Sequence, residues 1–497
     1  MFPQLSLMVV LPLIGAGVVF ALPQSLRKRA REIALFFSAA ELVLAVNLWM
    51  HFDSNDAGAI QFAETHQWIP QIGTSWALGV NGIGLSLVLL SAILVPVAIL
   101  SAWRDDKSPK RRANYLALVL ASQAFMIGVF AARDVFLFYV LFEAMLIPIY
   151  FMIGSFGGAQ RRYASMKFLI YSLVGGLIML LGVIALYAAG PGGEQGFLTD
   201  KLTGLDLSTN TERLLFLAFF IAFAIKAPMF PVHTWLPTVA ESARPSTTAL
   251  LVAVLDKVGT FGMLTLCLVL FPNASRWAAP VIIVFAVISV IYGAILAIGQ
   301  DNMLRLVSFT SISHFGIMVL GIFAFAQTSV EGAALYMFNH GISTAALFFA
   351  VAFLIQRRGS ASLRDFGGLQ KRAPVLAGTF LIIGLSSLSL PGLSPFISEI
   401  MVFIGAFPVV PVAVIFAASA VVLSALYILL MYKKVFTGPQ APELDNMRDL
   451  SLRDRVVTWP LIAIMLVLGF LPGILLGVLT QPVHDIVTIV AAEEVGK

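Results

Sequence analysis

An all-α integral membrane protein of about fourteen transmembrane helices is the fold class this sequence predicts, and three observations predict it. Of its 497 residues, 59% are hydrophobic and 11% charged, with a mean hydropathy of +0.95, far above a soluble globular chain. Apolar runs of roughly 17 to 25 residues, the length that crosses a bilayer, recur between short polar or Pro/Gly breaks. The Lys and Arg residues also fall into loops that alternate in charge.

The expected spans are 5–22, 31–52, 80–103, 114–131, 134–156, 163–190, 213–238, 245–270, 277–298, 303–325, 330–356, 373–406, 410–432 and 456–480. The first lacks a basic leader and is followed by Arg27, Lys28, Arg29 and Arg31, so it reads as an uncleaved helix with its N-terminus outside. Alternate loops, beginning with 23–31, hold 24 of the 31 Lys and Arg residues. The other side holds Arg133, Lys201, Arg213, Arg276 and Lys497, and Lys226 and Lys257 lie within spans. Positive charge stays on the cytoplasmic side, so the 104–113, 357–372 and 433–455 loops are expected there, with 53–79, 191–212 and both termini outside.

Two spans carry prolines near their middles: Pro228 and Pro231 in the seventh, Pro391 and Pro395 in the twelfth. Proline removes a backbone donor and clashes with the preceding turn, so both helices are expected to be broken, with simple kinks as the plainer alternative. The two spans are five apart and run in opposite directions. Paired interruptions of this kind point to inverted repeats with an ion path between them. The expected organisation is three N-terminal helices in 1–113, a five-helix repeat in 114–270 (spans four to eight), its inverted counterpart in 271–433 (spans nine to thirteen), and a cytoplasmic loop and last helix in 434–497.

Several function classes are excluded by what the chain lacks. With Cys267 as its one cysteine, it builds no disulfide framework, iron–sulfur cluster or CxxC pair alone. No GxGxxG follows a strand pattern and no Walker loop is present. No cofactor or metal site is expected in this chain, and a net charge of +5 spread over alternating loops argues against nucleic acid.

Four charged residues stand deep inside apolar runs: Glu143 in LFEAMLIPIY, Lys226 in IAFAIKAPMFP, Lys257 in AVLDKVGTFG and Glu399 in SPFISEIMVF. A charge in hydrocarbon costs from about 3 to over 10 kcal/mol, so two bases and two acids there point to movement of ions or protons. A lysine in a low-dielectric site holds its proton less tightly and a nearby carboxylate restores it, which makes Glu143 and Lys226 a candidate switch. A static buried ion pair that fixes helix packing is the alternative. Asp256 precedes Lys257, but adjacent helix positions diverge by about 100°, so the two are not expected to pair.

His314 with Ser311, and His340 with Tyr336, Ser343 and Thr344, lie at three- and four-residue intervals on spans ten and eleven. Such stripes suit proton transfer near neutral pH, or are satisfied core polar groups. His233, just past the seventh-span break, is a weaker candidate, and Glu41 in the second span has no assigned mechanism.

The strings LFEAMLIPIY, FAIKAPMFPVHTWLPTVAESARPSTTALL, LDKVGTFG, SFTSISHFGIMVLGI, MFNHGISTAALFF and LPGLSPFISEIMVF resemble the antiporter-like subunits of respiratory complex I and their Mrp antiporter relatives, over nearly the whole chain. L- and N-type chains of that family typically carry lysine on helix twelve and the M type glutamate; Glu399 makes this sequence similar to the M type of bacterial NADH-quinone oxidoreductases. The chain also ends soon after the last expected span, without room for the long lateral helix of the L type. The resemblance implies a proton-translocating subunit in a bacterial inner membrane, flanked by L-like and N-like chains. NADH, FMN, iron–sulfur clusters and quinone would be handled by partner subunits. It implies that Glu143 modulates, Lys226 carries the proton centrally, Lys257 continues the relay and Glu399 ends it. A subunit of an Mrp-type antiporter or a membrane-bound hydrogenase is the alternative on the same scaffold.

Overall fold

The computed structural model describes residues 3–439 and 442–495; Lys497 and the extreme ends of the first and last expected segments lie outside them. The chain is a helical bundle of Gln4–Phe20 (α1), Ala30–Met50 (α2), Gly82–Ser101 (α3), Pro109–Ala131 (α4), Val135–Ala144 (α5), Leu146–Phe156 (α6), Arg161–Ala189 (α7), Thr209–Lys226 (α8), Trp235–Ser242 (α9), Pro245–Leu270 (α10), Pro272–Ile298 (α11), Met303–Phe323 (α12), Gln327–Arg358 (α13), Pro374–Ser387 (α14), Ser394–Ala406 (α15), Pro411–Phe436 (α16), Leu452–Phe470 (α17) and Gly473–Val495 (α18). Among the described residues, eleven helices are long and apolar enough to cross a membrane.

Local sequence sets where these helices begin. Asn81, Asp134, Ser208 and Asn302 each accept a first-turn N–H through the side chain, opening α3, α5, α8 and α12. Ser451 and Asp454 form a reciprocal capping box on α17. Gly359 ends α13 in the left-handed region, at φ 79°.

Burial then sorts the helices. α12 is wholly buried and α13 nearly so, while α2, α7 and α16 expose large apolar side chains such as Phe36, Leu181 and Val422. Outward apolar residues around a polar-bearing centre are the pattern lipid imposes. The bilayer solvates hydrocarbon and leaves polar groups to find partners inside the bundle.

Polar contacts concentrate at the two ends of the bundle. On the basic face, Asp106 accepts two hydrogen bonds from Arg244 at 2.7 and 2.9 Å and one from Arg111 at 3.1 Å, joining the start of α4 to the start of α10. Arg357 donates to Asp454 at 2.6 Å, and Asp449 caps α14 through the N–H groups of Val375 and Leu376. On the opposite face, the 53–79 segment, expected simply as a loop, forms an antiparallel hairpin of Gln61–Ile69 (β1) and Thr74–Val80 (β2). The hairpin is a clamp. Glu64 of β1 accepts the N–H of Leu5 at 2.7 Å and of Ser6 at the N-terminus of α1, and Asp134 ahead of α5 accepts from Thr74 and Ser75.

The segment expected as one span, 456–480, divides at Leu471-Pro472, where the proline has no N–H to continue the helix. α18 then lies along the hairpin face. Val478 packs against Gly82 at the start of α3, Gln327 at the start of α13 donates to the Thr480 carbonyl at 3.3 Å, and Gln481 and Asp485 pack against Gly58. Residues 482–489 share a cavity of about 400 Å³ with Arg133, Asp200 and Thr265. A helix whose successive turns all touch one face of the bundle runs across that face, so the last crossing is α17.

Orientation is open to direct measurement. With Cys267 replaced by serine, single cysteines at the exposed positions Ser54 and Thr209 should react with an impermeant thiol reagent added to intact cells, and those at Ser108 and Lys371 should not. The reverse pattern would invert the orientation read from the basic loops.

Candidate functional site

Helical hydrogen bonding in α8 stops at Lys226 and resumes at Trp235. The backbone between is satisfied by protein: the Trp235 indole N–H donates to the Ile225 carbonyl at 3.0 Å, and the Phe230 N–H to the Ser289 hydroxyl at 2.9 Å. Lys226, placed at this end, is fully buried. Its ammonium stands 5.1 and 5.3 Å from the Phe142 and Phe168 rings and 3.5 Å from the Ser172 hydroxyl.

Glu143 reaches the same helix one turn away. Its carboxylate lies so close to Gly176 of α7 that a Cβ there would collide with it, and Oε1 is buried without a partner. Ser172 and Gly176 are four residues apart and so share a face of α7. Acid and base are thus set along one helix face about a turn apart. No ion pair joins them among the described residues.

Beyond Lys226, α10 packs tightly on α8: a Cβ at Gly259 would strike the backbone of Phe223 and Ala227. π-helical turns at Leu251–Leu255 and Met263–Cys267 flank Lys257, an irregularity frequent at functional positions. The Lys257 ammonium donates to the Val252 carbonyl at 2.9 Å, lies 2.7 Å from His340 Nδ1 and stands 4.4 Å from the Phe315 ring. His340 continues the line. Its ring is 5.1 Å from that of His314 and 6.0 Å from that of Tyr336, while His314 and Tyr336 are 5.9 Å apart.

The line reaches the second non-helical segment. The Tyr336 hydroxyl donates to Glu399 Oε2 at 3.1 Å, and the Ser389 hydroxyl donates to the same oxygen. Ser389 holds φ 59° between α14 and α15, an uncommon backbone for serine that turns its hydroxyl toward the carboxylate. Asn339, one residue before His340, donates to the Ser394 carbonyl at 2.9 Å and the Ser398 hydroxyl at 2.8 Å, fastening α15 to α13. Lys257, His340, His314, Tyr336 and Glu399 therefore form a continuous buried row.

His233 is buried elsewhere, its ring 5.8 Å from Phe230 and 5.2 Å from Tyr292, with no hydrogen bond to either lysine. Glu41 is buried in α2, and neither of its carboxylate oxygens has a hydrogen-bond partner.

Sequence reasoning left Asp256 without a role. In the fold it is fully buried, and both carboxylate oxygens lack a hydrogen-bond partner. Its position beside Lys257 was a visible signal, whereas its nearness to Lys226 arises only from the packing of α10 on α8. Ser389 and Gly176 carried weaker signals: a serine beside a Pro-Gly break, and a glycine pair in a long apolar helix.

Comparison with known proteins follows this geometry. A family model described as NADH:quinone oxidoreductase/Mrp antiporter, TM, matches residues 132–426. The chain belongs to that family. It is 42% identical to NADH-quinone oxidoreductase subunit M of Mycobacterium tuberculosis, covering 99% of this chain and 95% of that protein. It is 34% identical to subunit M of Rhodobacter capsulatus, covering 97% and 96%. A chain of respiratory complex I from Thermus thermophilus superposes with a TM-score of 0.90 at 28% identity, over 98% of this chain and 99% of that one. A chain of the Mrp complex from Dietzia sp. gives 0.88 at 22%, over 99% and 100%, a likeness of fold. The family match covers the row from Glu143 to Glu399. Among the described residues, no cluster of His, Cys, Asp or Glu is arranged to hold a metal ion.

The Trp235 hydrogen bond yields a stability test. Trp235→Phe keeps the apolar ring but leaves the Ile225 carbonyl without this donor, so it should cost about 1 kcal/mol. The thermal midpoint of the detergent-solubilised protein should fall accordingly, and Trp235→Ala should lower it further through lost packing.

Proposed function

We propose that this chain is the M-type, proton-translocating membrane-arm subunit of a bacterial NADH:quinone oxidoreductase. The observation that carries the reading is the buried row from Lys257 through His340, His314 and Tyr336 to Glu399, approached from the other side by Glu143, Lys226 and Asp256. Its M-type carboxylate at 399 and the full-length likeness to two subunit M chains support it. NADH oxidation and quinone reduction occur in partner chains that hold FMN and iron–sulfur clusters, and this chain contributes the proton path. L-like and N-like chains flank it in a bacterial inner membrane, with both termini on the outer side.

In this reading Glu143 and Lys226 are the input switch. They are separated by about a helical turn, so a small shift of α5, α7 or α8 changes the attraction between them without breaking a bonded pair. Asp256 offers a carboxyl group to a proton leaving Lys226 and places it beside Lys257. Lys257 and His340 share a hydrogen bond in which a proton moves along 2.7 Å from ammonium to imidazole. The interval from His340 to His314 and Tyr336 is one that a water molecule spans. Glu399, held by Tyr336 and Ser389, is the terminal acceptor. Residues 114–270 and 271–433 would be the inverted halves that meet at this row. His233 stands beside the path in a supporting position.

Three variants test the ends. Glu143→Gln keeps shape and removes charge, so quinone reduction and proton pumping by the assembled enzyme should fall by about tenfold or more. Reduction of an artificial acceptor upstream of quinone should be unchanged; normal coupled activity would remove Glu143 from the path. Glu399→Asp should retain most pumping and Glu399→Ala lose most of it. Equal activity in both would make Glu399 a packing residue.

A further inference from the structure

A cluster of guanidinium groups on the basic face takes no part in the buried row. Arg31 stands in the first turn of α2, Arg112 in that of α4 and Arg453 in that of α17, while Arg104 follows the end of α3. Arg104 and Arg453 line one cavity, Arg31 lies beside Trp103, the residue before Arg104, α4 with Arg112 packs on α2, and the exposed Glu32 is the acidic neighbour of Arg31. Helix N-termini already carry partial positive charge, so arginines in three first turns add like charge to like.

Nearby carboxylates are already engaged, one of them by Arg453 of the cluster itself, whose Nη1 is left over. Asp106 is held by Arg244 and Arg111, Asp454 by Arg357 and Arg453, and Asp105 accepts from Gln356 at 2.9 Å. Arg31 and Arg104 make no side-chain hydrogen bond or ion pair among the described residues. Buried Nε atoms of Arg31 and Arg112 and Nη1 of Arg453 also lack acceptors. The Trp103 ring lies 5.4 Å from the Arg31 guanidinium, holding it at the edge of the bundle.

An apolar stripe leads away from this cluster into the membrane. α3 is otherwise buried, yet Leu89, Ile93, Val97 and Leu100 are only partly buried and recur at helical spacing on one face, ending at Trp103 and Arg104. α2 and α17 both pack on α3. They expose Phe36 and Val43, and Val456 and Trp459, respectively. From Leu89 to Leu100 the stripe is about 16 Å long, close to half of a hydrocarbon core of about 30 Å.

We propose that this surface is a binding site for an anionic phospholipid, its phosphate on Arg31, Arg104 and Arg453 and an acyl chain along Leu89, Ile93, Val97 and Leu100. A phosphate diester supplies the acceptors that the guanidinium groups lack. Basic pockets at helix ends on the cytoplasmic side suit such headgroups. A free phosphate would use the arginines and leave the stripe without purpose, and a neighbouring apolar helix would leave the arginines unmatched.

The assembled complex in phosphatidylcholine nanodiscs, doped with phosphatidylglycerol bearing a photoactivatable acyl chain, decides between these occupants. The probe should label the peptide containing residues 89–104 more strongly than the equivalent phosphatidylcholine probe, and inorganic phosphate should not compete. At about fivefold per arginine, Arg31→Gln with Arg104→Gln should reduce the preference by roughly twenty-five-fold. Lysines at both positions should retain part of it, and Lys434→Gln, in the last turn of α16, should leave it unchanged. Equal labelling by both lipids, full competition by phosphate, or cross-linking of residues 89–104 to a partner chain in place of lipid would each overturn the proposal.

Discussion

Everything in this protein depends on the cost of leaving a polar group in hydrocarbon. Glu143, Lys226, Asp256, Lys257 and Glu399 stand within the apolar core beside neutral polar groups, and all but the partly exposed Glu143 are buried inside the bundle. Helices α12 and α13 carry the imidazoles and the tyrosine and are almost wholly enclosed, while α2, α7 and α16 present aliphatic and aromatic side chains outward. A soluble protein could leave such groups to water. Here packing must supply each partner, and the same packing that hides the groups brings them within reach of one another.

The two non-helical segments show how that cost is managed. Where α8 ends, Trp235 and Ser289 satisfy the released backbone; between α14 and α15, Ser389 turns to donate to Glu399. In both places the absence of regular helix opens room for a charged side chain beside polar backbone. Lys257 has the subtler counterpart, lying between π-helical turns with its ammonium on the Val252 carbonyl. Irregular backbone and buried charge coincide because each makes the other affordable.

Function and support also occupy separate parts of the molecule. The hairpin, α18 and the Asp106 and Asp454 ion pairs hold the two ends of the bundle, leaving the centre free of interlocking salt bridges. Glu143 and Lys226 are near each other without a bonded contact, and Asp256 has no hydrogen-bond partner. A central row of tight ion pairs would be stable and inert, since each carboxylate–ammonium pair would hold its proton in place.

Much of this was legible in residue order alone. Hydropathy marked the apolar helices, alternating basic loops separated the two faces, and Glu143, Lys226, Lys257 and Glu399 stood out because charge is rare in such runs. These are local signals, since each depends on a residue and its immediate neighbours in lipid. Three features carried weaker signals or none. Asp256 is enclosed only when α10 packs on α8, Ser389 reaches Glu399 only across a turn, and α18 lies flat because its partners are the ends of α3 and α13. Periodicity also carried the last span through Pro472, since an apolar helix reads alike whether it crosses a membrane or lies on a protein face. Composition and spacing determined which residues must be buried; tertiary packing decided which of them meet, because contact between distant helices is a property of the assembled bundle and of no single segment.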